Sequence, residues 1–418
     1  MQRIKRLIST LIPRSLYRAL LVPYHIGWQL FAAIRYGFPA RKLTVIGITG
    51  TKGKSSVTEM VAAVLEEAGH KIAISSTIHF KVGDKIRPNL YKMTLPGHGF
   101  IQKLMHEAVD AGCTHLVVEL TSEAALQYRH LFLSLNALVF TNLQKEHVES
   151  HGSMENYFQA KFRLAKALAH SEKRPRAIIA NNEDEYGKRF LSIPVEEQIP
   201  FSTNSVTDFN TSSDGVSFIY KEMPFLVPQP GTFSMLNALA SIKLGEFLSI
   251  PIATSQAALK KLSRIPGRAE RIDAGQNFLA VVDYAHTPDS LKALYTAYPG
   301  RKICVLGNTG GGRDTWKRPE MGSIADDMCA EVILTNEDPY DENPEQILTQ
   351  MASGMKREPR VIMDRREAIH TALSLAQPGD VVLVTGKGTD PYIMQANGVK
   401  LPWSDAQVVR EELEKLQK

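Results

Sequence analysis

The sequence predicts an α/β protein with two successive α/β domains, each on a mostly parallel sheet. Three observations predict it. From Lys42 onward, short β-branched runs alternate with stretches whose apolar residues repeat at helical spacing, as in strands joined by crossover helices. Many of the strands run into a polar or glycine-bearing loop and then a helix, the pattern that gathers ligands at the carboxyl ends of strands. The alternation breaks at about residues 200–230 and resumes after "RIPGRAER". A chain of 418 residues has room for two to three domains, each with its own core. We set the limits at 1–41, 42–265 and 266–418.

The front segment differs from the rest. No Asp or Glu precedes Glu59, whereas Arg3, Lys5, Arg6, Arg14, Arg18, Arg35, Arg41 and Lys42 all do. Between Arg18 and Arg35 lies "ALLVPYHIGWQLFAAI", too short and too broken by Pro23, His25 and Gln29 to read as a transmembrane helix. No small-residue cleavage site follows, so a signal peptide is not expected. Two readings stay open: a basic amphipathic segment lying on an anionic membrane surface, or a helix pair packed on the next domain. The net charge of +5 is no nucleic-acid signature. Cys113, Cys304 and Cys329 form no C-x-x-C pair and no disulfide framework, which suits a reducing cytosol. The expected location is cytoplasmic, peripheral at the inner membrane face on the first of the two readings.

In the first series "KLTVIGI" reads as a buried strand. Val57, Met60, Val61, Val64 and Leu65 then repeat at helical spacing until Gly69 stops the helix. "THLVVEL", "NALVF" and "RAIIAN" continue the strands, with "MENYFQAKFRLAKALAH" as a helix between the last two. "DGVSFIYKEMPFLVPQPGTF" reads instead as small antiparallel strands with turns. In the second series "FLAVVDY", "KICVLGN", "EVILTNE" and "DVVLVTG" are the strands.

Between the first strand and its helix lies Gly50-Thr51-Lys52-Gly53-Lys54-Ser55-Ser56. Strand, glycine-bearing loop and amphipathic helix are the context a phosphate loop needs. Backbone N–H groups at the helix start face the phosphates, Lys54 neutralises them, and the Ser55 hydroxyl can hold Mg²⁺. The first glycine of the usual Walker pattern is absent; Ile48 stands there. Glu119 ends a strand on the same sheet edge, where a carboxylate can hold Mg²⁺ through oxygen. Alone it reads equally as a solvated loop residue. His147 alone reads as a capping or packing residue, and Lys161 as a lysine snorkelling from an apolar helix.

"TGTKGKSS" at 49–56 matches the phosphate loop of the Mur ligase family, the ATP-dependent amide-bond ligases of peptidoglycan synthesis. The resemblance spans about residues 43–412 through "VVELTSEAALQYR", "FTNLQKEHVESHGSMENYFQAK", "PGRAER", "DYAHTPDSL", "KRPEMG" and "VTGKGTDPY", in order. "DYAHTPD" and "GKG" most resemble the MurE-type branch, which adds the third amino acid to UDP-N-acetylmuramoyl-L-alanyl-D-glutamate. The implied fold is a central P-loop-type ATPase domain followed by a Rossmann-like C-terminal domain.

The implied cofactors are ATP and Mg²⁺, and the implied partners a nucleotide-sugar peptide and an amino acid. Lys54, Glu119, His147 and Lys161 would be catalytic. Lys161 would act as a carbamate, sharing metal binding with Ser55, Glu119 and His147. Carbamylation needs a partly buried amine, since only the neutral form reacts with CO₂. Asn237 would read adenine, Arg268 reach the γ-phosphate and Asp283 bind ribose, with His286 beside it. Thr94, Ser122 and Arg129 would contact the muramoyl peptide, and Asp338, Tyr340 and Asp390 the acceptor amino acid.

Five departures stand out. Glu146, Ser234 and Glu123 occupy positions where the family usually has Asp, Asn and His. About forty residues stand where MurE-type ligases have a UDP-binding domain. The uridine end would then be held differently, supplied with a site by a partner, or missing from the substrate. Diaminopimelate-adding members carry arginine where this chain has Tyr340. With Glu337, Asp338, Asp341 and Glu342 around it, the stretch reads as acidic. Lysine is therefore expected to be favoured modestly over meso-diaminopimelate, unless Arg313 or Lys317 supplies the missing positive charge. Other readings are the same chemistry on poly-γ-glutamate or a cell-surface peptide, and an ATP-binding scaffold at a membrane.

Overall fold

The computed structural model describes residues 14–146, 148–262, 264–312 and 314–416, with backbone alone at 14–19 and 148. His147, Arg313 and residues 1–13 of the basic segment thus lie outside the described residues. The chain divides into two compact units. One holds the residues up to Gly50, Ala68–Leu143 and Glu155–Pro200; the other holds Thr51–Glu67, Gln144–Met154 and the chain from Phe201.

The first unit begins with helix α1 (Arg14–Arg35). Its sheet contains β1 (Thr44–Thr49), β2 (Ile72–Ser75), β3 (His79–Val82), β4 (Lys85–Pro88), β5 (His115–Glu119), β6 (Ala137–Phe140), β7 (Ala177–Asn181) and β8 (Glu197–Phe201). Their spatial order is β4-β3-β2-β5-β1-β6-β7-β8. Strands β2, β5, β1, β6 and β7 run parallel, and β3 and β4 fold back antiparallel at one edge. The parallel strands are buried on both faces, which explains their unbroken apolar runs. After β1 the chain winds out to β2, returns to β5, and then crosses to β6 on the other side of β1. That reversal makes the end of β1 a switch point, where open α/β sheets take their ligands. Ile48 lies opposite Glu119 and Thr49 opposite Phe140, so β1, β5 and β6 end nearly level.

In the second unit, helix Lys54–Glu67 packs on helices Thr232–Phe247 and Ile252–Lys261. The stretch expected to leave the α/β pattern forms an antiparallel sheet of β9 (Thr207–Ser212), β10 (Gly215–Tyr220) and β11 (Met223–Val227). The larger sheet is built from β12 (Glu270–Ile272), β13 (Leu279–Asp283), β14 (Lys302–Leu306), β15 (Glu331–Leu334), β16 (Arg360–Val361) and β17 (Val381–Thr385), in the order β12-β13-β17-β14-β15-β16. Only β12 pairs antiparallel within it. A small hairpin, β18 (Tyr392–Met394) and β19 (Lys400–Pro402), follows. Alternate residues of the strands enter two separate cores. Val281, Cys304, Leu306 and Leu383 meet Leu291, Leu294 and Met321 on one face. Ala280, Val282, Ile303 and Val305 meet Ile369 and Val409 on the other. Helices on both faces of a mostly parallel sheet make this the Rossmann-like arrangement expected.

One expectation is corrected. Cys304 in β14 and Cys329, just past helix Lys317–Met328, form a disulfide with Cα atoms 6.2 Å apart. Scattered in sequence, they meet because the helix returns along its own strand. Cys113 is a buried free thiol. Among the described residues no helix is long and apolar enough to cross a membrane.

Candidate functional site

In the first unit the site starts where β1 ends. Gly50 has φ 146°, and a Cβ there would come within 1.9 Å of Thr141 Oγ1. Only glycine lets the chain leave the strand here. The Thr49 hydroxyl donates to Leu120 O at 2.8 Å, and Thr141 N donates to Thr49 O at 3.0 Å. Glu119, at the end of β5, is fully buried. Its carboxylate accepts from Thr77 N at 3.0 Å and from the Thr77 hydroxyl at 2.9 Å. Thr77 Oγ1 lies 2.9 Å from Thr94 Oγ1, so Thr94 reaches Glu119 through one hydroxyl.

Lys161 is buried on the inward face of helix Met154–Ala169, among Tyr157, Phe158 and Leu164. It does not snorkel. Its Nζ donates to Gly50 O at 2.8 Å and sits 4.8 Å from the Tyr157 ring centre. Ser122 opens a one-turn helix capped by the Thr121 hydroxyl, which accepts from Ala124 N. Arg129 donates to Leu95 O and Gln127 Oε1, and burial lowers its pKa.

In the second unit the rest of the loop meets residues from much later in the chain. Lys54 Nζ folds back to Thr51 O at 2.9 Å, and Thr51 Oγ1 accepts from Gln144 N at 3.0 Å. Gly53 has φ 85°, and a Cβ there would meet Asn237 Oδ1 at 2.5 Å. Asn237 thus lies directly against the loop. Arg268 donates to Ser55 Oγ at 3.3 Å, its guanidinium 4.5 Å from the Tyr284 ring centre. Lys52 Nζ lies 3.1 Å from Glu146 Oε1 and 3.5 Å from His286 Nε2.

His286 also touches Glu146 Oε1 at 2.7 Å and Tyr284 O at 2.6 Å. Burial, then the Lys52 ammonium, hold this imidazole down to about 4 against the pull of Glu146. The ring is neutral at pH 7, so its single N–H serves one of those two oxygens. Asp283, at the end of β13, accepts from Ala269 N and Ala285 N, both at 2.6 Å, and burial raises its pKa.

The acceptor stretch is also in the second unit, and here the acidic reading is corrected. Asp338 is buried and accepts from Lys387 Nζ at 2.8 Å and Met394 N at 2.7 Å. Asp390 lies 3.5 Å from the same ammonium. Glu342 pairs with the fully buried Arg318 at 2.6 Å, a contact that holds its carboxyl below the usual range. Glu337 is buried, accepts from the Thr309 hydroxyl at 2.9 Å, and has its pKa raised by burial and then by Asp338. Two of the four carboxylates are thus neutralised inside the fold, and burial pushes a third toward its neutral form. Tyr340 takes a left-handed φ of 53° and lines a surface cavity with Asp341, Glu342, Met363 and Ala396.

Within the units, the structure groups Glu119 with Thr94, Lys161 with Gly50, Asn237 with Gly53, Arg268 with Ser55, His286 with Lys52, and Asp338 with Asp390. Thr77, Glu146, Arg318 and Lys387 were missed as partners. Arg318 and Lys387 lie inside quoted motifs, "KRPEMG" and "GKG", and could have been found there. Thr77 carries no motif signal.

The residues fit the implied ligands. Gly50 and Gly53 sit where a Cβ would strike Thr141 and Asn237, so the loop keeps a tight turn with its backbone free of side chains. Among the described residues no group of three or more His, Cys, Asp or Glu side chains is gathered as a metal centre. Glu119 and Ser55 carry oxygen donors, the kind Mg²⁺ takes.

The Mur ligase middle domain matches residues 48–245, and the Mur ligase glutamate ligase domain matches 267–388. The UDP-N-acetylmuramoyl-L-alanyl-D-glutamate–2,6-diaminopimelate ligase of Aquifex aeolicus is 37% identical over 389 residues, covering 90% of this chain and 78% of that protein. The UDP-N-acetylmuramyl-tripeptide synthetase of a Roseiflexus species is 32% identical over 429 residues, covering 95% and 84%. A solved diaminopimelate ligase of the same description superposes with TM-score 0.62 at 29% identity, over 90% of this chain and 79% of that one. The folylpolyglutamate synthase of Mycobacterium tuberculosis reaches TM-score 0.69 at 17% identity, over 87% and 93%, a likeness of fold alone. Motif order, two domain matches and identity across nine-tenths of the sequence agree: the chain belongs to the Mur ligase family.

Proposed function

We propose that this chain is an ATP-dependent acid–amino acid ligase of peptidoglycan precursor synthesis, of the type that adds the third amino acid to an N-acetylmuramoyl dipeptide. The observation that carries it is the loop itself. Gly50 and Gly53 make a turn that only glycine allows, just past the end of β1, with Lys54 and Ser55 at the helix start and Arg268 on the Ser55 hydroxyl. On this reading residues 42–265 form the ATP-binding domain and 266–418 the C-terminal one.

A substrate carboxylate oxygen attacks the γ-phosphorus of ATP, ADP leaves, and an acyl phosphate forms. The acceptor amine then attacks the acyl carbon. The tetrahedral intermediate loses phosphate and a proton to leave the amide. Catalysis is mostly positioning and charge neutralisation. Backbone N–H groups of 50–56 orient the phosphates, and the Lys54 ammonium moves from Thr51 O to neutralise them. Asn237 holds adenine, Asp283 the ribose, and Arg268 the γ-phosphate, with Lys52, Ser56 and His286 alongside. Ser55, Glu119, His147 and a carbamylated Lys161 would hold Mg²⁺, which supplies charge neutralisation at the γ-phosphate when bound. Carbamylation joins the neutral Lys161 amine to CO₂ with loss of one proton, and the product keeps an N–H for Gly50 O. Thr94, Ser122 and Arg129 face the muramoyl peptide, while Tyr340 and Asp390 sit on the acceptor side. Asp338 acts there through Lys387. The basic charge of residues 1–41 would hold the enzyme at an anionic cytoplasmic membrane face.

Phosphate release measured against a panel of amino acids, with and without the UDP-muramoyl dipeptide, tests the assignment. Release that needs both the dipeptide and one amino acid is the expected result. Release indifferent to the dipeptide would move the reading to another acyl substrate, such as poly-γ-glutamate.

A further inference from the structure

We propose that α1 is a membrane-surface helix, and that its outward apolar stripe enters the boundary between headgroups and acyl chains of an anionic bilayer. This rests on the location given above and adds that the attachment is apolar insertion, not charge alone. The polarity of α1 is the reverse of an ordinary surface helix, whose apolar stripe faces the core. Inward, where it packs on helix Phe100–Asp110, it buries Gln29, Ala32 and Ala33. Both polar atoms of the Gln29 side chain are buried without a hydrogen-bond partner. Outward it presents Leu20, Tyr24, Trp28, Phe31 and Ile34, between 40% and 62% exposed. Their spacing of four, four, three and three residues makes a single stripe along the helix. At Gly27 a shallow hollow opens between Pro23, Tyr24, Trp28 and Phe31 on that same side. An apolar face of this kind on an otherwise polar surface marks an interaction site.

Three features select the bilayer as its occupant. The eight basic residues up to Lys42, with no acid before Glu59, complement anionic headgroups. Trp28 and Tyr24 are the residue types that settle at headgroup level. The helix is not apolar and long enough to span, so it lies in the interfacial plane, half sunk. A second copy fits poorly, because pairing two stripes would bring two acid-free basic segments together without a counter-charge.

The test uses the full chain with vesicles of phosphatidylglycerol and phosphatidylcholine in equal parts, and with phosphatidylcholine alone. Wild type should float with the anionic vesicles at physiological salt. Brominated lipid should quench an emission that Trp28→Phe removes. Phe31→Ser with Ile34→Ser, both exposed positions, should lower vesicle partition at least tenfold and leave ligase turnover in lipid-free buffer unchanged. No flotation even at low salt would overturn both the location and the insertion. Flotation unchanged in the serine variant, with Trp28 unquenched, would overturn insertion and leave charge-only adhesion. A wild-type dimer that the serine variant abolishes would make the stripe a self-interface and overturn the proposal. Loss of ligase turnover in wild type would sink the function proposed above and leave this inference standing.

Discussion

Glu119 and Asp338 are both buried carboxylates, each close after or at the end of a parallel strand, and each accepts hydrogen bonds inside its own unit. Their donors differ. Glu119 is held by the neutral N–H and hydroxyl of Thr77, Asp338 by the Lys387 ammonium and a backbone N–H. A buried carboxylate whose described donors are neutral leaves a place beside it for a cation that arrives later, and such groups gather at functional sites. One given a buried cation has spent its charge inside the fold. Burial and acidity alone do not mark a site; the chemistry of the donor does.

The largest effect should come from the residue proposed to meet phosphate directly. Lys54→Ala should keep the fold, because Lys54 is only half buried and its bond to Thr51 O lies within its own loop, and should lower phosphate release by on the order of 10³-fold. Undiminished turnover, with an unchanged circular dichroism spectrum, would remove the loop from the chemistry. Lys161→Ala should lose nearly as much. Wild-type activity should fall on CO₂ depletion and return with bicarbonate. An intact-mass measurement showing a plain amine in the active, Mg²⁺-loaded enzyme would end the carbamate reading.

The next pair tests the contrast directly. Glu119→Gln can still accept from Thr77 N and return an amide donor to the Thr77 hydroxyl, so its melting temperature should hold. Its ATP turnover should fall by about 100-fold, the scale of losing one preorganised electrostatic partner. Asp338→Asn should do the reverse. It leaves the buried Lys387 ammonium with the Tyr392 carbonyl and, for a charged partner, the more distant Asp390, at a cost of about 3 kcal/mol, which calorimetry or chemical denaturation reads as lost stability. If Asp338→Asn proved as stable as wild type, the two carboxylates would not differ in the way the geometry says.

What sequence could and could not reach follows from the same distinction. Gly50, Gly53 and the strand-end position of Glu119 are legible because each is set locally, by a backbone angle or a place in the alternation. The antiparallel insert at β9–β11 is legible for the same reason. Non-local pairing is not. Asp338 and Lys387 are 49 residues apart in the chain, Arg318 and Glu342 24, and Cys304 and Cys329 25. Counting acids from Glu337 to Glu342 gave an acidic pocket; the cations beside Asp338 and Glu342 take part of that charge away. The reversed polarity of α1 was hidden too, since periodicity finds a stripe without saying which side faces water.

The smallest effect concerns the acceptor. With Asp338 and Glu342 neutralised, charge no longer pulls strongly for a cationic side chain. What remains is Tyr340, which offers a distal carboxylate one hydroxyl and no charge. In competition at equal concentration, lysine should therefore lead meso-diaminopimelate only a few-fold in kcat/KM, about 1 kcal/mol. Tyr340→Arg should shift that ratio toward diaminopimelate by about tenfold or more, since a charge-assisted bidentate pair contributes roughly 1.5–3 kcal/mol. The left-handed backbone at 340 is no obstacle, because tyrosine already bears the same strain there. A ratio unmoved by the arginine would mean that residue 340 does not face the distal end of the acceptor. A wild-type preference for diaminopimelate, the acceptor named for the Aquifex relative, would require another cation. Lys317 is then the side chain to change. It is buried, with its pKa lowered chiefly by that burial, and a distal carboxylate would restore the charge that burial disfavours. Lys317→Met should in that case abolish the diaminopimelate preference and leave lysine turnover in place.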